Sequence, residues 1–185
     1  MEFDAKSYGN KVAAILALDQ NGRRLMPLVS GKCSSAGALA ELRKHKAGDL
    51  FPNARAPQAA YGGLHLYFSC ANECHEIVQN VKTQDGSFWH GIVHRQEPDA
   101  ANAAYWFRQT GSHPVFEALA HAAEEITSRY PQIGFRPAGK WDPFTFIDFC
   151  EQARQMPGSQ SESAALEIQR VEWQLLFDHC AHICQ

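Results

Sequence analysis

Pro98 restricts the fold more than any other residue, because it divides two stretches of helical spacing, residues 87–97 and 99–110. Proline has no N–H and its ring clashes with the preceding turn, so the first helix must end there. Asp99, next in the chain, is a good cap for a second helix. Gly91 on the first stretch and Ala103 on the second have no bulk to hold two helices apart. Phe107 is placed to fill the wedge between the pair and a neighbouring helix. The spacing predicts an antiparallel helical hairpin.

The same period recurs along the chain. Asp142 caps and Pro143 opens a helix whose apolar positions are Phe144, Ile147, Cys150 and Ala153, ending at Pro157 and Gly158. Ser112 or His113 caps another from Pro114, with Val115, Leu119, Ala122, Ala123 and Ile126 on one stripe, and residues 131–141 form a loop. Ala164, Ile168, Val171, Leu175 and Cys180 mark a long C-terminal helix, with Glu167, Arg170, Glu172 and Gln174 facing solvent. Upstream, Ser34 or Ser35 begins a helix that runs to Gly48. Pro57 begins a longer one through Tyr61 and Phe68 to Val78, weakened locally by Gly62 and Gly63. Asn21 and Gly22 are a hairpin signal, but no partner strands follow, and Ala13, Ala14 and Ala17 favour a helix over residues 7–19. The expectation is one all-α domain over residues 1–185, with about seven helices; 185 residues at 45% hydrophobic suffice for one core.

With 17 Lys and Arg against 20 Asp and Glu, the net charge of −3 comes without the basic stripe that a nucleic-acid partner requires. The longest apolar runs are too short for a bilayer, and the acidic start MEFDAK does not read as a leader, so no membrane partner and a soluble, cytoplasmic chain are expected. For such a chain the six cysteines are expected reduced. Cys70 with Cys74, and Cys180 with Cys184, are spaced to share a helix face as buried apolar residues. His179 and His182 could join a thiolate around zinc, but the end of a chain is a poor cage.

His90, His94 and Glu97 stand at i, i+4 and i+7, which aligns two imidazoles and a carboxylate on one helix face. Zinc and iron accept such a set, with a further ligand from His75 on the preceding helix or His113 after the following one. Arg95 and Arg108 are natural counter-charges for Glu97 and Asp99. Together with Asn102, Trp106 and His113 these residues form the expected surroundings of a small ligand. The competing reading is a purely structural network, in which the histidines pair with buried carbonyls and the Asn102 amide while Arg108 and Asp99 lock the turn. The sequence has no H-E-x-x-H, G-x-S-x-G, phosphate-cradling loop or dinucleotide fingerprint, so it indicates no reaction class.

The 87–114 segment resembles a single tetratricopeptide unit, through Gly91 on the first helix and Ala103 and Phe107 as the A-x-x-x-F of the second. His94 stands where that repeat has an aromatic, Pro114 comes one residue early, and no second copy follows at a period of about 34 residues. The resemblance implies a helical hairpin and, as a second functional class, a protein-interaction module. Residues 90–114 are also similar to an uncharacterised family of small soluble proteins with the pattern H-G-I-x-H-R-x-E-x-D-x-x-N-A-x-Y-W-F-R-x-x-G-x-H-P. Leu66 to Cys70 and Leu50 to Pro52 extend the likeness, and Pro98 stands where members often have glycine. That resemblance implies no activity.

Overall fold

The computed structural model describes residues 3–182. It contains ten α-helices: α1 (Asn10–Leu16), α2 (Ala36–Leu42), α3 (Ala47–Leu50), α4 (Pro57–Tyr67), α5 (Ala71–Val78), α6 (Gln84–Gln96), α7 (Ala100–Thr110), α8 (Val115–Ser128), α9 (Pro143–Ala153) and α10 (Gln160–Ala181). No strand occurs among the described residues, so the chain is all-α. The number exceeds the expected seven because the segments read as helical already number eight and two of them are each broken in two. The one predicted from Pro57 to Val78 stops at Tyr67, where Ser69 adopts a positive φ of 57°, and restarts as α5. The one predicted to reach Gly48 divides into α2 and the single turn α3. At the N-terminus the predicted 7–19 helix shortens to α1, preceded by a 3-10 turn (Ala5–Tyr8) that Asp4 caps. The chain after it turns at Gln20 and Asn21, both at positive φ. The Tyr67 hydroxyl holds that turn, accepting from the Gly22 and Arg24 N–H groups and donating to the Asp19 carbonyl.

Helix α10 runs through the middle and packs on α4, α8 and α9. An amphipathic surface helix would leave Glu172 in water; here Glu172 is 0% exposed, because α10 is covered on the side predicted to be polar. Its carboxylate receives both terminal nitrogens of Arg95, itself 1% exposed, and Gln169 and the Phe146 ring complete the guanidinium's surroundings. Two charges removed from water this completely persist only when paired and hydrogen-bonded.

The hairpin predicted around Pro98 is α6 and α7 in contact, with the Asp99 carboxylate accepting from the Asn102 N–H as the cap of α7. A Cβ on Gly91 would lie 2.9 Å from the Phe107 ring, so the glycine admits that ring directly into the hairpin. Gly63 on α4 does the same for Trp89 of α6, whose ring would stand 2.5 Å from an added Cβ. These close approaches bring α4, α6 and α7 together around the helix that carries His90 and His94.

The cysteine expectation is corrected in part. Cys33 and Cys70 form a disulfide with Cα atoms 4.4 Å apart, while Cys74, Cys150 and Cys180 are free and buried. The pairing is non-local: a Ser34 N–H bond to the Phe68 carbonyl lays the 30s loop against the α4–α5 break, which spacing along the chain could not reveal. Cys184 lies outside the described residues. No helix among those described is long and apolar enough to cross a membrane.

Candidate metal centre

Helix α6 presents His90 and His94 one turn apart, and α5 places His75 against both. Each of the three rings offers a nitrogen within 4.8 Å of the others. Ring centroids are 4.5 Å apart for His75 and His90, 5.3 Å for His75 and His94, and 4.9 Å for His90 and His94. Trp106 of α7 covers the group by stacking on His90 at 3.8 Å. His90 and His94 are 3% and 8% exposed and His75 is half-buried, so α5 supplies the open side.

No carboxylate lies between the three rings. Nδ1 of His90 is buried with no hydrogen-bond partner, and Nδ1 of His94 sits 3.0 Å from Glu97 Oε2 but out of line for a hydrogen bond. Burial, with His75, His94 and Lys82 nearby, pushes His90 down to about 3. His94 is lowered by burial too, with Glu97 opposing. Neutral imidazoles with unspent lone pairs are the form that binds metals. Glu97 beside His94 matches the carboxylate that commonly orients a ligating histidine from behind. Cys74, next to His75, is fully buried with its thiol pushed up by burial, and it is no ligand in that protonated form.

The sequence placed more residues here than the fold brings together. Arg95 is one position beyond His94, about 100° further round the helix, and its side chain goes to Glu172 on the other face. Asp99 and Asn102 engage each other at the start of α7, Asn102 donating its side-chain amide at 2.9 Å. Arg108 forms no ion pair with Glu97 or Asp99; it faces a cleft beside Phe107 and Lys140. His113 belongs to a different group.

That second group joins Asp85 in the first turn of α6, His113 ahead of α8 and His179 in the last turn of α10. Nε2 of His113 and of His179 lie 3.1 and 3.3 Å from Asp85 Oδ1. His113 Nδ1 accepts the Val115 N–H at 3.3 Å, so its ring proton resides on Nε2 and is donated to Asp85. Ligation through that nitrogen would require the proton to leave while Nδ1 faces another donor, so His113 is tied to a proton rather than a metal. Burial raises the Asp85 carboxyl, but His113, His179 and Arg55 outweigh it and hold the group below the ordinary carboxylate range. Asp85 was missed from sequence, although an acidic residue in the first turn after the Thr83 cap is a signal that it sits at a helix N-terminus. A third grouping, Cys33, Cys70 and Glu73, has its sulfurs joined to each other. Comparison of the chain with protein-family models, curated proteins and solved structures returns no match.

Proposed function

We propose that this protein binds a divalent transition-metal ion, zinc or ferrous iron, through His75, His90 and His94, with Glu97 behind His94. The observation that carries the reading is the convergence of three imidazoles from two helices with no acceptor among them and a buried ring nitrogen left unpaired. Imidazole suits both metals, and three protein ligands leave a coordination position for water or a small molecule on the side of His75. The interaction-module reading rests on the hairpin alone.

The test is a thermal melt of protein stripped with chelator, repeated with zinc and, without oxygen, with ferrous iron. Binding to the folded state at a hundredfold excess over Kd adds about 2.7 kcal/mol, a shift of several degrees. The wild type should show that rise and His75→Ala should not. A wild type indifferent to both metals, or a His75→Ala variant that responds equally, would overturn the reading.

A further inference from the structure

A cleft opens between the α7–α8 turn and the residues entering α9. One lobe, of about 550 Å³, is bounded by Phe107, Phe116, Trp141 and Phe144; a second, of about 520 Å³, shares Phe116, Trp141 and Lys140 with the first and continues to His113. Volumes of this order suit a small organic molecule, and rings on several sides suit a flat apolar one.

Its polar groups are unbalanced. Arg108 and Lys140 both line the cleft, and neither forms an ion pair among the described residues. Of the two acids lining it, only Asp142, which caps α9 through the Phe144 N–H, lies in the first lobe, where it offsets one of the two cations; Glu117 is exposed in the second lobe. His113 is occupied by Asp85. Trp141, 2% exposed, lines both lobes with its ring, and its indole N–H is buried behind that surface. Two cations against one carboxylate, beside aromatic surfaces, describe a partner that is flat, apolar and anionic at one end.

We propose that the cleft binds a small planar aromatic carboxylate, its ring among Phe116, Trp141 and Phe144 and its carboxylate toward Arg108 and Lys140. This stands apart from the metal reading, since it uses none of the three histidines. The probes are 2-naphthoate and its neutral counterpart 2-naphthamide, titrated into ¹⁵N-labelled protein while following the Trp141 indole resonance, assigned by its loss in Trp141→Phe. Naphthoate should shift that resonance saturably and the amide should bind about fivefold more weakly, the scale of a solvent-exposed charge contact. The double variant Arg108→Gln, Lys140→Gln, its fold checked by circular dichroism, should bind naphthoate no better than the amide. Absence of any Trp141 shift, equal affinity for the two probes, or unchanged naphthoate binding in the double variant would overturn the proposal.

Discussion

Helix α6 contributes to two groups of imidazoles that are alike in size and opposite in chemistry. Around Asp85, a carboxylate stands between His113 and His179, and a backbone N–H occupies the far nitrogen of His113. The His113 ring proton there has an acceptor in Asp85. Around His75, His90 and His94 there is no anion at the centre, burial opposes protonation of His90, and a buried nitrogen lacks a partner. The difference teaches that proximity of histidines does not identify a metal centre. What fills the space between them is decided by the charge and hydrogen-bonding sense of the neighbouring atoms, which make one group a latch among three elements and the other a cluster of imidazoles with no carboxylate between them.

The largest effect that separates the two is expected from Asp85→Ala. It leaves two imidazoles facing each other and unties α10 from α6, which should lower the unfolding free energy by about 2–4 kcal/mol in urea denaturation. The metal response should survive in this variant. A loss under about 0.5 kcal/mol would remove the latch. Acid should act on the same group in two stages. His179 is held below its ordinary value by burial, with Asp85 opposing, so its contribution is complete above about pH 6.5 and is lost as the pH falls below that. Asp85 is depressed, so its contribution is complete above about pH 4 and disappears as the pH falls through its folded value. Asp85→Asn should shrink the loss below pH 4 in stability-versus-pH curves, the remainder coming from His90 and Asp99, which are also held low; a loss identical to the wild type's would assign the stage wholly elsewhere.

Smaller effects fall on the first group. His75 is half-buried at its open side, so His75→Ala should change stability by less than about 1 kcal/mol in the absence of metal while removing the metal-induced rise. A larger loss without metal would make the ring a packing element instead. The smallest effect is purely spectroscopic. ¹⁵N chemical shifts of the neutral His113 ring should report the Nε2–H form, and the opposite tautomer would reopen the second group as a ligand set.

Local chemistry made the hairpin legible. Pro98, the Asp99 cap and the small residues Gly91 and Ala103 act within a few turns, and the fold reproduces them. The 3.6-residue period likewise aligned His90 with His94 and Glu97, but it left the further ligand open between His75 and His113, and only the packing of α5 on α6 brings His75 to the pair. The failures are non-local. Arg95 was drawn to Glu97 on paper because the two are near in sequence, whereas its partner Glu172 comes from a helix that buries a face the pattern marked as solvent-facing. Breaks at Ser69 and the Cys33–Cys70 bond depend on how the 30s loop packs across α4. Asp85 and His179 are 94 positions apart along the chain, and only the placement of α10 joins them.

The most direct test of the distinction is anomalous X-ray scattering at the zinc edge from crystals of the chelator-stripped protein soaked in zinc. The expected result is one strong peak within about 2.0–2.2 Å of nitrogens from His75, His90 and His94, with none beside Asp85. A peak among Asp85, His113 and His179 with the first group empty would contradict the account.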